Sequence, residues 1–171
     1  MKFRMSLLVA EVAALVILGP ASLQAQGYDT ATLKGSTAVC VQVDPGLDDL
    51  SQYDLTEEEF QTAIELRLRI AGIRVLPYST DLYKDPTIGF LVLRLSSRLD
   101  PVSKSYFAVG MELAYGQQAV LMRDRGVALL ATTWRRNTIG TVGTAKVRQL
   151  VEGAKDLADM FANAFLSANT R

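Results

Sequence analysis

Residues 55–76 read LTEEEFQTAIELRLRIAGIRVL, and this stretch decides the fold. Thr56 is followed by Glu57, Glu58 and Glu59, so Thr56 and Glu59 stand in capping-box positions. Leu55 and Phe60 hold the two hydrophobic-staple positions, and three carboxylates in a first turn suit the positive end of a helix dipole. The spacing predicts a helix to about Ile70, stopped by Gly72 in the left-handed region. Its apolar face is Phe60, Ala63, Ile64, Leu68 and Ala71, broadened by Leu66 and Ile70. Arg67 projects inside that arc. Its stem either lies on the sheet with the guanidinium reaching water, or it is a buried polar group that holds an ion pair or a ligand.

Working outward, residues 37–43 (TAVCVQV) alternate as a strand before the helix, and residues 73–76 form a short strand after it. Strand, capped helix and strand make a βαβ unit, so the two strands are expected to be parallel. From Ile88 the pattern turns to period two. Leu91, Leu93 and Leu95 oppose Phe90, Val92 and Arg94; Phe107, Val109, Met111, Leu113 and Tyr115 oppose Ala108, Gly110, Glu112 and Ala114. Residues 118–123 and 127–134 flank Asp124-Arg125-Gly126, which predicts a hairpin turn. An apolar stripe from Val147 to Ala168, recurring at three and four residues, predicts a closing helix over about 144–168.

The fold class expected is α+β. It is a two-layer sandwich in which a mixed, mostly antiparallel sheet of five to six strands (β-α-β-β-β-β-β-α) carries two helices on one face. The other face, with Cys40, Gln42, Val92, Arg94, Gly110 and Glu112, is either solvated or a docking surface.

The amino terminus reads as an address. Lys2 and Arg4 precede an apolar run from Ser6 to Leu18, Gly19-Pro20 breaks it, and small residues lead to Ala25. These are the parts of a secretory signal peptide cut after Ala25, and the apolar run is shorter than the roughly 20 residues of a bilayer-spanning helix. Cysteine is missing from the cleavage region, so lipidation there is not expected. The domain plan is a signal peptide at 1–25, a flexible lead-in at 26–35 and one domain at 36–171. The expected destination is the periplasm or the medium.

Composition excludes several classes of function. The chain has 171 residues, 18 Lys+Arg, 18 Asp+Glu, no His and one Cys. Loss of Lys2, Arg4 and Glu11 leaves a balance of about −1, without the basic footprint of a nucleic-acid binder. Imidazole triads, Cys-His dyads and His-bearing metal sites are excluded. Cys40 lies within the first strand pattern and is expected to be buried and inert. The acidic run Asp44, Asp48, Asp49, Asp54 and Glu57 to Glu59 lacks the ligand spacing of an EF-hand and reads as a solvated approach to the helix. No metal, cofactor or catalytic residue is expected.

The functional candidate is residues 134–144: Trp134, Arg135, Arg136, Asn137, Thr138, Ile139, Gly140, Thr141, Val142, Gly143 and Thr144. Two guanidinium groups, two glycines and three threonines stand directly before a predicted helix N-terminus, where backbone N–H groups and the dipole suit an anion. Neither a Walker loop nor a dinucleotide fingerprint is present. The plain alternative is a strand-to-helix connection turned by its glycines and capped by Thr141 or Thr144.

The runs Leu55-Thr56-Glu57-Glu58, residues 64–76, Ala131-Thr132-Thr133-Trp134, Gly140-Thr141-Val142-Gly143 and residues 161–166 resemble a family of small exported bacterial proteins without an assigned activity. More loosely, the element order is similar to periplasmic accessory domains: the amino-terminal domain of the Tol translocation protein TolB, the curli-secretion subunit and lipoprotein activators of peptidoglycan synthases. That resemblance implies action by protein contact within envelope assemblies. Several of those proteins are lipoproteins, and this chain departs from them in lacking a lipidation cysteine. The reading is a non-enzymatic exported domain whose partner is another envelope protein, with Trp134, Arg135 and Arg136 as anchors. The alternative is a binder of small anions or cell-wall fragments through residues 134–144. Oligomeric state is left open.

Overall fold

The computed structural model describes residues 30–44 and 50–170. The signal-peptide reading of 1–25, and Asp48 and Asp49 of the acidic run, fall outside the described residues. Strand β1 (Ala38–Asp44) leads to helix α1 (Glu57–Ile70) and strand β2 (Val75–Leu76). Three long strands follow, β3 (Ile88–Leu99), β4 (Tyr106–Leu121) and β5 (Asp124–Gly143), and then helix α2 (Gln149–Asn169).

The five strands form one open sheet in the order β2-β1-β3-β4-β5. β1 is parallel to both β2 and β3, whereas β3–β4 and β4–β5 are antiparallel. This is the α+β sandwich expected, with five strands, the lower of the expected counts. Residues 118–134 belong to the same two strands as the residues on either side of them.

Local chemistry explains α1. The Thr56 hydroxyl accepts from the Glu59 N–H at 3.2 Å, and Leu55 and Phe60 are both buried. Gly72, at φ +82, lets the Ile73 N–H reach back to the Leu68 carbonyl at 2.9 Å, which closes the last turn. The Glu59 carboxylate accepts from Arg148 at 2.5 Å, joining the start of α1 to the residue before α2.

Both helices pack on the side of the sheet that presents Val39, Val41, Leu91, Leu93, Phe107, Val109, Leu113 and Tyr115, and these residues share one core with Ile64, Leu68, Leu157 and Phe161. Phe161 is its aromatic centre. Its ring lies 5.4 Å from Tyr115, 5.1 Å from Trp134 and 5.7 Å from Phe165. Such ring pairs add about 0.5–1.5 kcal/mol each beyond the area they bury. No helix among the described residues is long and apolar enough to cross a membrane.

The structure shifts the start of the domain. Residues 30–35 were expected in a flexible lead-in, yet Thr30–Leu33 forms a 3-10 turn and Leu33 is fully buried. The cause lies at the far end of the chain. The Asn169 side chain donates to the Leu33 carbonyl at 3.0 Å and accepts from the Gly35 N–H at 2.9 Å.

Candidate interaction surface

The segment singled out at residues 134–144 is not a loop before a helix. β5 continues through it to Gly143, Thr144–Lys146 is a 3-10 turn, and α2 begins only at Gln149. Among the described glycines, positive φ occurs at Gly35 and Gly72, so neither Gly140 nor Gly143 turns the chain. Thr144 does not cap α2. Its hydroxyl donates to the Ser105 carbonyl at 3.4 Å, and Arg148 sits at the N-cap without a side-chain cap bond. The amide nest that an anion would need is therefore not built.

As a strand, the segment divides between the two faces of the sheet. Trp134, Arg136, Thr138 and Gly140 pair with Tyr115, Leu113, Met111 and Val109, all of which face the helices. Trp134 is fully buried, its ring edge-on to Phe161 at 73° and its indole N–H without a partner. It is a core residue and cannot anchor a ligand at the surface. The Arg136 guanidinium lies 5.4 Å from the centre of that indole and donates to the Arg135 carbonyl at 3.0 Å.

Arg135, Asn137, Ile139, Thr141 and Gly143 fall on the open face. There the structure assembles a row of charges across four strands. Arg94 lies 3.5 Å from Asp44 and 3.0 Å from Glu112, and Glu112 lies 4.0 Å from Arg135. Register produces it, since Asp44 is paired with Arg94 and Arg94 with Glu112. A hollow of about 360 Å³ adjoins the row, lined by Arg94, Ser96, Gly110, Glu112, Asn137 and Ile139, among others. Gly110 makes room for it, because a Cβ there would meet the Ser96 hydroxyl at 2.9 Å. Alternation had already placed Arg94, Gly110 and Glu112 on this face. Their meeting with Arg135 and Asn137 depends on the β4–β5 register, which single-strand patterns do not carry.

The other half of the open face is covered. Cys40, Phe90 and Ala114 are buried there, and Tyr83 of the 3-10 segment Thr80–Lys84 stacks on Phe90 at 4.3 Å. Burial, with a smaller contribution from the Glu65 carboxylate, pushes the Cys40 thiol up to about 11. At neutral pH it is a protonated packing group, as expected, and not a nucleophile.

Arg67 corrects the buried reading. Its side chain is 40% exposed and stands 3.9 Å from Asp159 of α2, itself 47% exposed. The stem packs and the charge reaches water, so the pair contributes little. No group of three or more metal-ligating side chains occurs among the described residues.

Beyond Gly116, where β4 leaves β3, the β4–β5 hairpin projects as a two-stranded arm. From Gly116 to Met122 and from Val127 to Trp134 it carries no charged residue. Val120 and Leu130 point to the open side and Val127 and Leu129 to the helix side, with exposures between 39% and 54%; Met122 at the tip is 92% exposed. Gln117 donates to the Thr32 carbonyl and Gln118 to that of Tyr83, which ties the root of the arm to both layers. In the sequence this stretch reads as ordinary strand. An uninterrupted apolar run on both sides of a hairpin was the available signal.

No protein-family model matches this sequence, and neither does any curated protein. Among solved structures, the chain is similar to the PelC dodecamer from Paraburkholderia phytofirmans, at 15% identity over 79% of this chain and 89% of that one, with a TM-score of 0.42. It is also similar to a minor lipoprotein from Acinetobacter baumannii, at 11% identity over 77% and 91%, with a TM-score of 0.35. A third similar structure is the rare lipoprotein B from Shewanella oneidensis, at 14% identity over 77% and 92%, with a TM-score of 0.27.

Proposed function

We propose that this chain is an exported envelope domain that acts by holding another protein, and that the β4–β5 arm is the part the partner encloses. The observation that carries this reading is the arm. A free two-stranded ribbon leaves both faces in water, and Val120, Met122, Val127, Leu129 and Leu130 stay exposed on it. Exposed apolar side chains gathered on one projecting element mark interaction sites. Arg123, Asp124 and Arg125 at the tip argue against burial in lipid tip-first, where each charge costs several kcal/mol. A protein cleft with apolar walls and an acidic mouth fits both features. Chemistry within the chain supports a non-enzymatic role, since it has no histidine and its one thiol is buried and protonated.

Export rests on the signal-peptide pattern, and the mass of the mature protein tests it: cleavage after Ala25 leaves Gln26 as the first residue. The arm is tested by a photo-cross-linking residue at Met122 or Val120 in living cells, with exposed Thr62 of α1 as the control position. A dominant adduct at the arm positions, abolished by Leu129→Asp/Leu130→Asp in the folded protein, is the expected result. Equal labelling at all three positions overturns the reading.

A further inference from the structure

β5 is an edge strand, and its exposed hydrogen-bonding side is protected along only part of its length. Around the root of the arm three devices block it. Thr133 is the extra residue of a register shift opposite Tyr115 and Gly116, and its carbonyl accepts from the Thr32 hydroxyl at 2.9 Å. The Arg135 carbonyl accepts from its neighbour's guanidinium. Bulges and charged side chains are the means by which proteins keep edges from pairing. They stop at Arg136. The last stretch, Asn137–Gly143 (NTIGTVG), has no charge and no proline, and its register with β4 is regular throughout. Six of its seven residues are exposed, Val142 is half-buried, and Ile139 is 82% exposed on the open face.

We propose that Asn137–Gly143 pairs with the same stretch of a second copy, antiparallel and about a two-fold axis, so that two five-stranded sheets join into one. The two edges of the sheet point to this occupant. The outermost strand on the far side is β2, only two residues long, which offers a head-to-tail neighbour little to pair with. Of the two outermost strands among the described residues, β5 is the one with a stretch of that length. The composition also fits. An axis through Gly140 sets Ile139 opposite Thr141 of the second copy and the reverse, which covers the most exposed isoleucine of the sheet with a β-branched neighbour. The same axis sets Arg135 and Arg136 opposite the uncharged positions Ala145 and Thr144 of the second copy, so no like charges meet. Thr138, Gly140 and Gly143 are small and let the second backbone approach. The hollow beside Ile139 and Asn137 then extends across the junction as one two-fold trough.

The test is the sedimentation mass of the purified protein across a concentration series, for the wild type and for Ile139→Lys. The wild type is expected at twice the monomer mass, and the lysine, which restores edge protection, is expected to give the monomer with an unchanged circular dichroism spectrum. A second variant guards against misfolding. In a Cys40→Ala background, Gly140→Cys places a thiol on the axis, and mild oxidation is expected to link the copies covalently, whereas Thr62→Cys in the same background is not linked. A wild type that is monomeric throughout overturns the proposal, as does a dimer that survives Ile139→Lys and fails to link through Gly140→Cys. Leu129→Asp/Leu130→Asp, the arm variant, is expected to leave the dimer mass intact, so partner capture and self-pairing fail separately.

Discussion

The ring of Tyr115 lies over the bare Cα of Gly89: a Cβ built on Gly89 would stand 2.1 Å from the ring Cζ and 2.2 Å from its hydroxyl oxygen. From that position the Tyr115 hydroxyl donates to Ser36 at 2.8 Å, a buried bond spanning 79 positions of sequence. One glycine thus lets an aromatic side chain of β4 cross β3 and fasten the residues before β1.

Gly89→Ala is therefore expected to destabilise the protein by at least about 2 kcal/mol, since a fully buried ring backed by Phe161 has nowhere to retreat. Urea unfolding measures it. In a double-mutant cycle, Gly89→Ala is expected to cost much less when Tyr115 is already leucine, because the three atoms nearest the added Cβ all belong to that side chain. Tyr115→Phe keeps the ring and leaves the Ser36 hydroxyl unpaired, at a cost of about 1–2 kcal/mol.

Trp134→Ala is expected to cost about 3–5 kcal/mol, the range for removing a large buried aromatic from a packed core. Arg135→Ala, at an exposed position of the same strand, stays within about 1 kcal/mol of the wild type. Thermal unfolding of the two variants separates packing from surface chemistry in the stretch whose sequence reads as a connection before a helix. Equal effects contradict the placement of Trp134 in the core.

Alkaline stability carries the signature of Cys40. Its folded-state value, about 11, lies above the 9.0 of an unperturbed thiol. The neutral form is favoured by folding, so its stabilisation is complete below about pH 9 and is lost as pH rises towards 11. Compared with Cys40→Ala, the wild type is expected to lose unfolding free energy between pH 9 and 11, with a constant difference below that window. Native protein at neutral pH is also expected to resist alkylation until urea exposes the thiol.

The parts of the fold legible in the sequence are those written locally. Thr56, the acidic turn and Gly72 delimit α1 from within positions 56–72, and the structure uses each as its chemistry suggests. The lower half of β5 reads as a connection in the sequence because glycines such as Gly140 and Gly143 favour turns. What holds them extended is β4, whose Val109 and Tyr106 pair with them from more than thirty positions earlier. Leu33 was misread for a similar reason, its partner Asn169 lying 136 positions away. Among the candidate residues, Arg135 and Asn137 join the open-face hollow, and Trp134 and Arg136 turn to the other side. Period-two alternation through residues 134–143 held that division, once the segment is recognised as strand.

Glu112 is the shared acceptor of the charge row, and its replacement tests what the row contributes. Arg94 keeps Asp44 at 3.5 Å when Glu112 becomes Gln, whereas Arg135 loses the carboxylate 4.0 Å away. Both guanidinium groups are 53% exposed, so water screens the interaction and Glu112→Gln is expected to cost less than about 1 kcal/mol. The small difference is expected to vanish in about 1 M salt, where the screening length falls to roughly 3 Å. Glu112→Lys puts three cations side by side on the open face, and its penalty is expected to exceed that of the glutamine at low ionic strength and to shrink steeply with added salt. Urea titrations of both variants at low and high salt measure this. A salt-independent penalty above about 2 kcal/mol for Glu112→Gln contradicts a solvated row and places Glu112 in a buried network instead.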